Sequence, residues 1–78
     1  MNPELVIGLA EAYGYRLELN DEKHKFVRFK NETTGIRIDV WYTTGTIGKY
    51  LPHKPGVYYY NKDLVGLESI LEEKYEGN

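Results

Sequence analysis

Between Ile36 and Tyr42 the chain alternates strictly. Ile36, Ile38, Val40 and Tyr42 fall on one side of an extended backbone, and Arg37, Asp39 and Trp41 on the other. Asn31-Glu32-Thr33-Thr34-Gly35 precedes this stretch and Thr43-Thr44-Gly45-Thr46 follows it. Both are reversals whose glycine takes a positive φ at no steric cost. A strand bounded by tight reversals pairs with its sequence neighbours, so the pattern predicts an antiparallel meander with one apolar face and one mixed face.

The rest of the chain supplies partners for that strand. Asn2-Pro3-Glu4 is a helix start, with asparagine as cap and proline where its missing N–H costs nothing. Leu5, Val6, Leu9, Ala12 and Tyr13 then share a helical face, and Gly14 ends the helix. Tyr15 to Leu19 reads as a first strand with Tyr15, Leu17 and Leu19 inward, and Asn20 to Lys23 as a polar reversal. His24 to Lys30 is the second strand. Val27 and Phe29 are placed inward because charges on the other side cannot be buried unpaired, which leaves His24, Phe26, Arg28 and Lys30 outward. Ile47 to Leu51 is a weaker strand interrupted by Gly48, and Pro52 to Gly56 is a loop. Val57 to Tyr60 is an edge strand or an ordered loop, with Tyr59 facing opposite to Tyr58 and Tyr60. Asn61 or Asp63 caps a last helix whose stripe is Leu64, Leu67, Ile70, Leu71 and Tyr75, with Glu68, Glu72 and Glu73 outside. The expected fold is a single α+β domain over 1–78, in two layers. An antiparallel sheet of three or four strands carries the N- and C-terminal helices on one face, in the order α-β-β-β-(β)-α.

A chain of 78 residues has room for one core, and a small one, which leaves a homodimer open. The absence of cysteine excludes disulfides, thiolate metal sites and thiol nucleophiles. The opening residues lack the basic start and apolar run of a secretory signal, and no run reaches membrane-spanning length. A soluble protein of the cytoplasm is therefore expected, with no membrane partner. The net charge of -2 argues against general attraction to nucleic acid. The segment 16–54, however, is net positive, and both ends are net negative.

On the mixed face Arg16, Glu18, His24, Arg28 and Lys30 join Arg37, Asp39 and Trp41. The candidate binding residues are Phe26, Arg28, Arg37, Asp39, Trp41 and Tyr50. Aromatic and arginine side chains together suit the centre of a protein interface, and equally a stacking surface for single-stranded nucleic acid. Asp39 reads as a partner for Arg37 or for a cation on a neighbouring strand, and Trp41 either stays on the open face or is covered by residues 52–60. His24 and His53 are the only imidazoles, and no serine motif, carboxylate pair or phosphate loop accompanies them. No catalytic residue, metal ligand set or cofactor is expected.

The run Ile38-Asp39-Val40-Trp41-Tyr42-Thr43-Thr44-Gly45-Thr46, after a strand with His24 and before Gly66-Leu67 in an amphipathic helix, resembles a loose group of small phage and prophage proteins. Those carry an apolar-Asp-apolar-aromatic-Pro-Thr-Thr-Gly-Thr strand and turn; Tyr42 stands here where the group usually has proline. The resemblance implies a viral origin and little else, since the group offers no activity to carry over and no catalytic residue is transferred. The element order is also similar to a double-stranded RNA-binding domain, whose basic cluster before the last helix is reduced here to Lys62, and to HicA-type toxin ribonucleases, which are basic and set their histidine after Gly-Ser. Together these lead to the expectation of a non-enzymatic, phage-type accessory protein of the host cytoplasm. It would bind a host protein, as an inhibitor of a defence system. The alternatives are a domain binding single-stranded nucleic acid or RNA through the same face and, third, a HicA-like ribonuclease with His24 as general base.

Overall fold

The computed structural model describes residues 1–73; Tyr75, expected in the last helical stripe, lies outside them. The order is α1 (Pro3–Ala12), β1 (Arg16–Asp21), β2 (Phe26–Lys30), β3 (Arg37–Trp41), β4 (Thr46–Tyr50), β5 (Val57–Tyr59) and α2 (Leu64–Glu72). The strands form one five-stranded sheet in sequence order, with every neighbouring pair antiparallel. The expected sheet of three or four strands is thus exceeded, because Val57–Tyr59 pairs along β4 in spite of the prolines before it. Both glycine turns form as expected, with φ of +77° at Gly35 and +74° at Gly45.

The central strands keep their alternation. Val27, Phe29, Ile38, Val40 and Ile47 are fully buried and form one core with Val6, Ala10, Leu67, Ile70 and Leu71 of the helices. Both helices therefore pack on the same sheet face. In β1 the expectation fails at one residue. A bulge at Glu18 shifts the register between Leu17 and Leu19, so Leu17 pairs with Phe29 on the core side while Leu19 pairs with Arg28 on the other. An extra residue on one strand reverses every later side chain, and Leu19 is 43% exposed.

At the start of α1 the Asn2 side chain accepts from the N–H groups of Glu4 (2.8 Å) and Leu5 (3.3 Å). At its end Gly14 takes a φ of +85°. The N–H of Tyr15 then donates to Ala10 O (3.0 Å) and that of Gly14 to Glu11 O (3.0 Å), a glycine-terminated helix end that satisfies the last carbonyls. The buried line along α1 is Val6 and Ala10, flanked by Ile7, Leu9 and Tyr13. Leu5 and Ala12, expected inward, are exposed, because each lies about 120–140° round the helix from that line. Asp63 caps α2, accepting from Gly66 N–H at 2.9 Å. Glu68 and Glu72, expected only as a solvated face, both accept from the Tyr13 hydroxyl at 2.8 Å and so join the two helices. These hydrogen bonds, that of Glu72 first, raise the Tyr13 pKa above its ordinary value.

One polar side chain enters the core layer. Lys49 is 8% exposed, and its Nζ reaches the carbonyl of Ile70 and the carboxylate of Glu73, both at 3.3 Å. The end of α2 has carbonyls without helical partners and a negative dipole end, which is where a buried ammonium is tolerated.

Phe29→Ala should cost about 3–5 kcal/mol in urea unfolding followed by tryptophan fluorescence, a large share of the roughly 4–12 kcal/mol available to a chain of this length. Leu5→Ala should stay within about 0.5 kcal/mol of the parent.

Candidate functional site

Strand register brings the six expected residues onto the face that carries no helix, in adjacent rows. Arg16, Lys30, Arg37 and Tyr50 lie opposite one another across β1 to β4, then Leu19, Arg28, Asp39, Gly48 and Tyr58 across all strands, then Asp21, Phe26, Trp41 and Thr46. Phe26, Arg28, Arg37, Asp39, Trp41 and Tyr50 are therefore one continuous patch.

The face is less open than its composition predicts. Asp39, at the centre, is only 2% exposed. Arg28 donates to it side-on, Nε to Oδ1 at 3.1 Å and Nη2 to Oδ2 at 3.5 Å, and Arg37 Nη2 donates to Oδ2 at 3.3 Å. A buried carboxylate is stable when guanidinium groups satisfy its lone pairs. The exchange also raises the Arg28 pKa further, chiefly through the Asp39 hydrogen bond. Phe26 lies on the expected face but is 8% exposed. Trp41 tilts against it with ring centroids 4.8 Å apart, and the Arg28 guanidinium sits 5.3 Å from its ring centre. Trp41 itself is half-buried.

A second cluster adjoins the first. The Arg37 guanidinium lies 4.1 Å from the ring centre of Tyr50, while its Nε is buried without a hydrogen-bond partner among the described residues. Tyr50 meets Tyr58 edge to face, centroids 5.8 Å apart, and their hydroxyls are hydrogen-bonded. Burial, then the Tyr58 hydrogen bond, raises the Tyr50 pKa. Gly48 makes this possible. A Cβ there would stand 3.0 Å from Tyr50 Cε2 and 3.1 Å from Tyr58 Cε1. Gly56 likewise leaves room for the other side of the Tyr50 ring. The sequence reading treats Gly48 as an interruption and omits Tyr58 from the patch. The available signal was a strand glycine beside a tyrosine, which marks a ring lying across the bare backbone.

His24 is not part of β2. It lies in the β1–β2 turn, two residues before β2 begins, where Asp21 accepts from its backbone N–H at 3.1 Å and faces its Nδ1 at 2.7 Å. The Asp21 side chain closes the turn itself, moving the reversal to residues 22–25 from the expected 20–23. In a meander successive turns alternate between the two ends of the sheet, so His24 in the first and His53 in the fourth are at opposite ends. The two imidazoles form no joint site. Among the described residues no group of three or more His, Cys, Asp or Glu side chains is placed to hold a metal ion, and no helix is long and apolar enough to cross a membrane.

Compared with known proteins, the chain matches no family model, no curated protein and no solved structure. Its reading rests on its own geometry.

Asp39→Asn removes the charge that holds two guanidinium groups together. Because their side chains are 33% and 38% exposed and recover water, the expected loss is moderate, about 1–3 kcal/mol by chemical denaturation. A second expectation concerns the Asp21–His24 turn. The side-chain hydrogen bond with His24, then that from its backbone, holds the Asp21 pKa below the ordinary carboxylate value. A depressed carboxylate stabilises the fold above its unfolded pKa of about 3.9, and that contribution is lost as pH falls through the lower folded value. In carboxyl-carbon NMR the Asp21 midpoint should move up towards the ordinary range in His24→Ala.

Proposed function

We propose that the chain is a non-enzymatic binding protein whose helix-free sheet face docks a partner protein. The observation that supports this reading is the locked arrangement around Asp39, in which two arginines, a tryptophan and two tyrosines are held by one another before any partner arrives. Tryptophan, tyrosine and arginine dominate the energetic centres of protein interfaces. Side chains already held in one rotamer lose less entropy on association, so contact area converts into affinity with a smaller ordering cost. The phage resemblance adds a setting: the partner is a host protein, and its inhibition is the role of the complex.

The same geometry weighs against the nucleic-acid alternative. A stacking surface offers free ring faces, whereas Phe26 is buried, Tyr50 has Arg37 against its ring, and Tyr58 meets Tyr50 edge-on. Arg28 and Arg37 already spend guanidinium N–H groups on Asp39, which leaves fewer of their donors for phosphates. The ribonuclease alternative rests on His24, which lies in the β1–β2 turn against Asp21 and has no second imidazole at its end of the sheet.

Tagged protein incubated with bacterial host lysate, with and without nuclease, tests this reading. The expected result is a stoichiometric protein that survives nuclease and is lost with Trp41→Ala or with Arg37→Ala, while circular dichroism shows each variant folded. Recovery of nucleic acid alone, released by salt as counterion exchange requires, would transfer the face to the alternative. A protein retained equally by both variants would remove the patch as its site.

A further inference from the structure

The opposite layer carries a second surface, independent of the sheet face. Between α1 and α2 an apolar groove of about 380 Å³ opens to solvent. Leu5 and Leu9 form one wall and Leu64 and Val65 the other, with Gly8 between them. Leu5 is 57% exposed and Val65 71%, although each lies on a helix whose other face is well buried. Glu4 and Glu68 stand at the rim.

Gly8 is the informative residue. Glycine is the poorest helix former after proline, and Gly8 sits in the interior of α1 with an ordinary helical backbone. No neighbouring packing demands it, since a Cβ at Gly8 would meet nothing within 4 Å. This contrasts with Gly45 and Gly48, where a Cβ would press on backbone or rings. The chain therefore gives up helix stability at a position where any side chain would fit the isolated fold. The side chain would, however, project into the groove. A missing side chain at the groove between exposed leucine and valine is what close approach by another backbone requires.

We infer that this groove docks an amphipathic helix of a partner protein whose apolar stripe is flanked by lysine or arginine. The charge of the layer selects that chemistry. Neither α1 nor α2 contains a basic residue, whereas their surfaces present Glu4, Glu11, Glu68 and Glu72. An amphipathic helix laid in a groove uses apolar anchors for affinity and flanking charge for choice of partner. A second copy seated groove to groove is disfavoured by the same charges. A two-fold contact brings the patch onto its own copy, and so would bring the rim glutamates Glu4 and Glu68 of one copy towards the acidic rim of the other.

The test is a titration of nitrogen-15-labelled protein with two synthetic helical peptides that share one leucine stripe, one flanked by lysines and the other by glutamates. The lysine peptide should shift the amides of Gly8, Leu9 and Val65, with affinity falling as salt is added, and the glutamate peptide should bind at least about tenfold more weakly. Gly8→Ala and Gly8→Leu should both melt higher than the parent, because helix propensity rises. Gly8→Leu, its side chain filling the groove, should lose the lysine peptide by about tenfold or more. A stable variant that loses binding separates docking from folding. The inference is overturned if neither peptide moves these amides, if both bind alike, or if the shifts map to the sheet face. It is also overturned if sedimentation shows the parent self-associating and Gly8→Leu monomeric, which would make the groove a dimer contact.

Discussion

Asp39 is a carboxylate buried at the centre of a sheet face that no helix covers, and the arrangement of that face follows from satisfying it. Two helices suffice to cover one side of a five-stranded sheet. The other side must either stay polar and wet or close over itself with its own long side chains. Here Arg28 reaches across from β2 in the same row, and Arg37 along β3 from the adjacent row, to meet one carboxylate. Their aliphatic stems and guanidinium planes then lie across Phe26 and Tyr50, giving those rings apolar and cationic neighbours in place of water. The result is a thin second layer of packed side chains, with an ion pair where a larger protein would place another helix.

How much of this could be read from the chain depends on whether the determinant was local. Alternation assigned both faces of β2 and β3 correctly, because each position's polarity states its side and the turns between the strands are short. Leu19 was misassigned because a bulge is a backbone event. Nothing in Arg16-Leu17-Glu18-Leu19 announces that Glu18 will be the extra residue, and the apolar pattern continues unbroken through it. Leu5 and Ala12 were misassigned because a helical face more than about 100° wide fits two orientations, and only contact with the sheet and α2 selects between them. Lys49 falls inward by alternation, yet its burial is acceptable only beside the end of α2, more than 20 residues away. The six patch residues were legible together because register follows from alternation. That Phe26 would be covered and both arginines shared by Asp39 was not, since it depends on rotamers chosen across two strands.

The two glycine turns show how one local signal can meet different long-range demands. Gly35 and Gly45 adopt nearly the same φ, and each follows two threonines. A Cβ at Gly35 would approach the ring of Pro52, at 3.0 Å from Cγ, a contact that a small shift relieves. A Cβ at Gly45 would collide with the backbone of Lys62, whose N–H donates to Gly45 O at 2.9 Å. The second turn therefore couples the β3–β4 hairpin to the residues that start α2. Its glycine is required twice, once for φ and once for clearance.

A net charge of -2 averages two surfaces of opposite character, and the average hides what each can bind. The helix layer is acidic and presents bare apolar side chains around a residue with no side chain at all. The sheet face carries more cations, but two of them are already engaged, so its excess positive charge resides mainly in Arg16 and Lys30 at the β1 side, with Arg16 itself paired to Glu32. Arg16, Lys30 and Arg37 lie directly opposite one another across β1, β2 and β3, and their mutual repulsion is offset at Arg16 by Glu32 and at Arg37 by Asp39, with Lys30 left without an ion pair among the described residues. Placing a carboxylate of a partner over that row would relieve the repulsion without breaking the Asp39 cluster beside it. The Asp39 cluster would then supply shape, and Lys30 would supply orientation.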